Sequence, residues 1–273
     1  MNPIDKYNQR AKKINSLLCV GLDSDFEKLP EKFKAMENPQ FEFNKYIIEE
    51  THEFAAVYKP NSAFYEARGD KGLQELKMTM DYLREKHPDI FTILDAKRGD
   101  IGNTNNGYVA SIFDWLGFDA VTLHPYLGKE ALLPFLERKD KGCIILCRTS
   151  NPGATEIQDL YIQGSIFNPF RGIALWRVMA EKVSKEWNEN NNCMLVVGAT
   201  YPDEMKKIRE ITGDMTFLVP GIGAQGGDLQ AVMKAGLNSE GLGLIINSSR
   251  GIIFSENPKA EAEKLCEEIR KNK

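Results

Sequence analysis

The chain lacks the features that would send it to a membrane, to nucleic acid or out of the cell. No run approaches the roughly 20 apolar residues that span a bilayer. The opening stretch MNPIDKYNQRAKK has no apolar core of a signal peptide. Basic blocks are missing too: 35 Lys and Arg face 39 Asp and Glu, for a net charge of −4. A nucleic-acid binder would show a basic stripe, so the anion expected here is small and held locally. Cysteine is scarce and odd in number, at Cys19, Cys143, Cys147, Cys193 and Cys266. Most of these sit in or beside apolar runs, which fits reduced, buried thiols of a cytoplasmic protein better than a disulfide framework. Cys143 and Cys147 have no second pair and no nearby histidine to complete a zinc set. Histidine is scarcer still: His52, His87 and His124 are scattered and form no zinc motif. His52 on a helical pattern and His87 before Pro88 read as exposed. No metal is expected.

What the chain does have is regular alternation. Its 273 residues, 42% apolar and 27% charged, suit one domain over 1–273 with ample core. Short apolar runs occur at Leu17–Leu22, Ala55–Lys59, Ile90–Asp95, Ala120–Leu123, Cys143–Cys147, Met194–Gly198, Thr216–Val219 and Gly241–Ile246. Near-continuous runs of this length suit parallel strands buried on both faces. Between them lie helical patterns, among them Asn44–Thr51, Lys71–Lys86, Phe170–Trp187 and Pro258–Lys271. Trp176 and Trp187, within such a pattern, read as packing residues. Eight strands alternating with helices predict an α/β fold, and a chain of this length favours closure into a (β/α)8 TIM barrel over an open sheet. Polar and glycine residues gather directly after the runs, as at Asp23, Lys59-Pro60-Asn61, Ser150-Asn151-Pro152-Gly153 and Gly221–Gly227. In such barrels the C-terminal strand ends carry the active site, so these loops should converge on one mouth. His124, after the fourth run, either packs there or lines it.

The most informative segment is Asp95-Ala96-Lys97-Arg98-Gly99-Asp100. Period-two geometry puts Asp95 and Lys97 on one face of a buried strand end, where unpaired charges would be very costly. One reading is a structural ion network that closes the barrel top. The other is a lysine kept protonated between carboxylates. Such a lysine is a poor Schiff-base nucleophile, which needs a free amine. It is well suited to stabilise a carbanion and then protonate it.

The pattern Asp95-x-Lys97-x-x-Asp100-Ile101-x-x-Thr104 resembles the signature of the orotidine 5′-monophosphate decarboxylase family. Val57-Tyr58-Lys59-Pro60-Asn61, Ser150–Ala154 and Pro220–Gly227 resemble its longer bacterial branch, and the likeness runs in order from about Leu17 to Ile252. The resemblance implies conversion of orotidine 5′-monophosphate to UMP and CO2 in pyrimidine biosynthesis, without a cofactor. It implies that Lys97 protonates C6, that Asp95 lies beside the departing carboxylate, and that Lys59 braces the array and touches the ribose. Asp100 would come from the other subunit of a homodimer, with Thr104 reaching across the same interface. Asp23 would bind the ribose and Ser150 the pyrimidine edge, while Asn61 follows Lys59 and would help order it.

Phosphate binding is expected at the loops after strands seven and eight. The backbone of Gly223 and Gly226 can approach an anion closely, Gln225 can donate through its amide, and Arg250 can offer paired donors. Many relatives carry glycine before that arginine, whereas Ser249 stands here. Two alternatives stay open: a related magnesium-dependent barrel decarboxylase of a 3-keto sugar phosphate, which shares Asp-x-Lys-x-x-Asp, and a catalytically silent barrel. The Lys59 tract, Ser150 and the chain length argue against the first, and the complete charge array argues against the second.

Overall fold

In the computed structural model, which describes residues 2–163, 170–222 and 227–273, strands close into a barrel in chain order. They are β1 (Leu18–Val20), β2 (Val57–Tyr58), β3 (Phe91–Arg98), β4 (Ala120–Leu123), β5 (Gly142–Arg148), β6 (Cys193–Val197), β7 (Phe217–Val219) and β8 (Leu244–Ser248). All pairings are parallel, and β1 closes onto β8 with Leu18 opposite Ile246. Each expected run overlaps one strand, and β3, β5 and β8 continue past the end of theirs toward the mouth. The reason is burial on both faces: inside the barrel and under the helices, alternate residues meet apolar surface, so Val, Ile, Leu and Cys occupy successive positions.

Helices return the chain between strands. The Pro39–Thr51, Gly69–Lys86 and Pro258–Lys271 helices agree with the expected patterns. The Phe170–Trp187 pattern is shorter than expected as an α-helix: it runs Leu175–Lys182 and widens into a π-helical turn over Val183–Trp187. That turn leaves Trp187 buried, as Trp176 is. The five cysteines are all buried and free.

The N-terminal pole is sealed by a preceding helix, Pro3–Ile14, whose Asn2 cap accepts a hydrogen bond from the Ile4 amide. From this helix the Tyr7 hydroxyl donates to the Leu244 carbonyl, Lys6 pairs with Asp119, and the Arg10 guanidinium donates to the carbonyls of His52 and Ala55. With that pole closed, the C-terminal strand ends form the open mouth. His52 and His87 depart from expectation at the sealed pole. Both are half-buried, because each caps a helix C-terminus and their rings lie 4.6 Å apart.

Strands β3 and β5 leave the regular ladder at their mouth ends. Leu94 pairs with Val121 but Arg98 with Leu123, so four steps along β3 match two along β4. Leu146 pairs with Val196 and Arg148 with Val197, two steps against one. Such bulges bend a strand end and re-aim its side chains.

Candidate active site

The bulge in β3 shapes the charged cluster. Lys97 has φ of 47°, in the left-handed region that a lysine rarely adopts. Simple alternation therefore does not hold across Asp95–Lys97, yet the two side chains still meet. The Lys97 ammonium lies 2.7 Å from Asp95 Oδ1. Thr122 on β4 joins them: its hydroxyl donates to Asp95 Oδ1 at 2.9 Å and accepts the Lys97 amide at 3.0 Å.

Lys59 completes the array from the end of β2. Its ammonium lies 3.2 Å from Asp95 Oδ2 and 3.9 Å from Asp23 Oδ1. Charges thus alternate along the chain of contacts, Asp23–Lys59–Asp95–Lys97. The two lysines differ in freedom: the Lys59 side chain is 4% exposed and that of Lys97 49%. Burial opposes the charge on Asp95, but Lys59 and then Lys97 outweigh it and hold the carboxyl well below the usual range. Burial likewise opposes the charge on Lys59, and Asp23 and Asp95 outweigh it, pushing the ammonium's pKa up. Asp23 Oδ1 is buried against the Lys59 ammonium and accepts no hydrogen bond, while Asp23 as a residue lines the open space at the mouth.

That space is a cavity of about 810 Å³ at the mouth. Asp23, Lys59, Asp95, Lys97, Ser150 and Arg250 all line it. Ser150 reaches the rim because Gly198, after β6, has no side chain: a Cβ there would sit 2.8 Å from that of Ser150. The residue in doubt before Arg250 finds the same solution. A Cβ on Gly21, after β1, would overlap the Ser249 hydroxyl, so the bare glycine admits the serine and Arg250 still reaches the cavity. Gly223, Gln225 and Gly226 lie outside the described residues, but the flanking Gly221, Ile222 and Gly227 line the cavity beside Arg250.

Other expected residues lie apart. Asn61 forms an isolated bridge to Asp95, but its side chain accepts the Ala63 amide and does not line the cavity. Asp100 and Thr104 are exposed beyond the rim and touch none of the lysine–aspartate array within their own chain. His124 packs on Gly99, and its amide donates to the Arg98 carbonyl.

Two participants escaped sequence reasoning. Thr122 had a signal, as the single polar residue in the Ala120–Leu123 run. Asn105 had none. It is fully buried beneath the Asp100 loop, accepts the Asp100 amide at 3.0 Å, and donates to the carbonyls of Asp100 and Ala131.

Known proteins place this geometry. Residues 16–265 match the model of the orotidine 5′-phosphate decarboxylase / HUMPS family. An orotidine 5′-phosphate decarboxylase of Cellvibrio japonicus is 46% identical over 94% of this chain and 91% of its own. One from Flavobacterium johnsoniae is 47% identical over 94% and 90%. The solved OMP decarboxylase of Leishmania donovani superposes with a TM-score of 0.86 at 39% identity, covering 100% of this chain and 99% of its own. An ordered charge array in a closed barrel mouth and this breadth of likeness lead to one conclusion: the chain belongs to the orotidine 5′-phosphate decarboxylase family.

Proposed function

We propose that this enzyme, which converts orotidine 5′-phosphate to UMP and CO2, uses Lys97 as its electrostatic anchor and proton donor. Loss of CO2 from C6 leaves an sp² carbanion with little resonance relief, so fixed positive charge must wait where negative charge develops. A unit charge about 4 Å away, at an effective dielectric near 20, is worth about 4 kcal/mol, or roughly three orders of magnitude in rate. Lys97 is the lysine with freedom to supply it, being half-exposed at the cavity, while the buried Lys59 is the brace. Asp95, held ionised by both, stands beside the leaving carboxylate. Asp23, which lines the cavity beside Lys59, accepts a ribose hydroxyl. Ser150 meets the pyrimidine edge, and Arg250 with Gln225 and the backbone of Gly223 and Gly226 takes the phosphate. Phosphate contacts far from C6 would drive closure over the ring.

The alternating Asp23–Lys59–Asp95–Lys97 array carries this reading. It also favours cofactor-free chemistry, since both Asp95 oxygens already face ammonium groups, which makes them poor ligands for magnesium. The test is orotate absorbance loss with Lys97→Ala. Turnover should vanish while the circular dichroism spectrum stays unchanged. Near-normal decarboxylation would remove Lys97 from the role. Full activity in excess EDTA would exclude the magnesium-dependent alternative.

The catalytic unit is a homodimer in which Asp100 and Thr104 complete the partner's site. Their exposure, together with Ile101 at 61% and Tyr126 at 86% exposed on adjoining loops, supports a contact face at this rim. The whole of 1–273 forms one domain, as its terminal helices pack on the barrel between them. Five buried free thiols suit a reducing cytoplasm. Among the described residues, no helix is long and apolar enough to cross a membrane.

A further inference from the structure

At the sealed pole, opposite the mouth, the C-terminal ends of the Pro39–Thr51 and Gly69–Lys86 helices bring together Glu49, His52 and His87. One ligand atom from each lies within 4.8 Å of the others. We propose that this triad is a binding site for a divalent transition metal of the zinc class, clamping the two helix ends together.

The ring orientations carry the argument. His52 Nδ1 lies 3.0 Å from the Glu49 carbonyl. A carbonyl only accepts, so Nδ1 holds the proton and Nε2 presents a bare lone pair. Metal-ligating histidines are commonly fixed in this way by a bond from the second nitrogen. His87 Nε2 lies 3.0 Å from Glu49 Oε1, which also accepts the Tyr82 hydroxyl at 2.6 Å. Both of these contacts fall on Oε1, which leaves Oε2 as the carboxylate oxygen to ligate.

The backbone under the site is rigid. Arg10 donates to the His52 and Ala55 carbonyls and pairs with Asp89. His52 and His87 each cap a helix with their amides, on Ile48 and Leu83. Both helices thus direct their negative C-terminal dipole ends toward the same point, which favours a cation there. Two imidazole nitrogens and one carboxylate oxygen are the donor set of a zinc-class ion, not of calcium or magnesium. Ligation at about 2.0–2.2 Å asks only small side-chain rotations, with water in the remaining position. A neutral His87 ring would shift its Nε2 proton to Nδ1 as the metal enters.

The test is calorimetric titration of the intact protein with Zn2+ under reducing conditions, beside His52→Ala and His87→Gln. Wild type should bind one ion per chain, and either variant should bind at least tenfold more weakly. Zn2+ should raise the melting temperature of wild type and not of the variants, while orotidine 5′-phosphate turnover by the metal-free variants matches that of wild type. Co2+ bound at the site should give a visible d–d band that both variants lose. Equal affinity in all three proteins, or no heat up to millimolar Zn2+, would overturn the proposal and leave a hydrogen-bonded pair only.

Discussion

Gly21 and Ser249 are a fitted pair: the missing Cβ after β1 is the space that the serine hydroxyl occupies after β8. Gly21→Ala must push Ser249 aside, and the neighbouring Arg250 moves with it. A displacement of about an ångström at a positioning residue costs up to roughly a hundredfold in rate. kcat/KM for orotidine 5′-phosphate should therefore fall ten- to hundredfold, while orotidine without its phosphate shows little change. Gly21→Ala with Ser249→Gly should recover most of the loss. If the double variant is no better than Gly21→Ala, the steric coupling is wrong.

The charge array sets a pH window with two different edges. Asp95 has a lowered pKa, so its stabilising contribution is complete above its unfolded value, about 3.9, and disappears as pH falls from there through the lower folded value. Lys59 has a raised pKa, so its contribution is complete below its unfolded value, about 10.4, and disappears as pH climbs through the higher folded value. Between those edges the array is intact. Lys59→Met should cost about 3 kcal/mol at pH 7, because Asp23 loses its cation and Asp95 keeps only Lys97. The Asp95 carboxyl carbon, followed by NMR, should stay ionised at pH 3 in wild type and titrate above pH 4 in the variant. A variant Asp95 still ionised at pH 3 would assign the shift to Lys97 alone.

Asp100 stands outside the array of its own chain, which makes complementation decisive. Lys97→Ala and Asp100→Ala should each be inactive alone. In the proposed homodimer, random mixing makes half the dimers hybrids with one unaltered site each, so co-refolding should restore about a quarter of wild-type turnover. No recovery from demonstrably mixed dimers would place Asp100 in its own subunit's site.

Asn105 bonds to the Asp100 backbone and does not line the cavity. Asn105→Ala leaves the half-buried Asp100 backbone groups and the buried Ala131 carbonyl short of a partner, the buried carbonyl alone at about 1–3 kcal/mol. The expected outcome is a lower kcat with KM little changed and the dimer retained by light scattering. A change confined to KM would point to a different task for this loop.

The barrel was legible in the sequence because each strand is short, apolar and buried on both faces, and each carries its polar residues at one end. Asp95 and Lys97 were legible for the same reason, as charges where only a paired charge survives, whereas Lys59 was legible only through the likeness of its tract to the family. The route by which Lys97 meets Asp95 was not: a bulge in β3 replaces simple alternation, and no residue there announces it. Asn105 looks like any polar helix residue until the Asp100 loop folds over it. His52 and His87 appeared scattered because they sit on separate helices, and only the packing of those helices at the sealed pole joins them. Gly21 and Ser249 lie at opposite ends of the chain, and closure of β1 onto β8 makes them neighbours.

The left-handed backbone at Lys97 has a further consequence. A lysine held there costs of order 1–3 kcal/mol that glycine or asparagine would largely avoid. Folding and the catalysis proposed for Lys97 therefore pull this position in opposite directions. In a lineage freed from any need for UMP, drift toward a sturdier barrel would begin at Lys97, and a silent descendant would carry glycine or asparagine in its place.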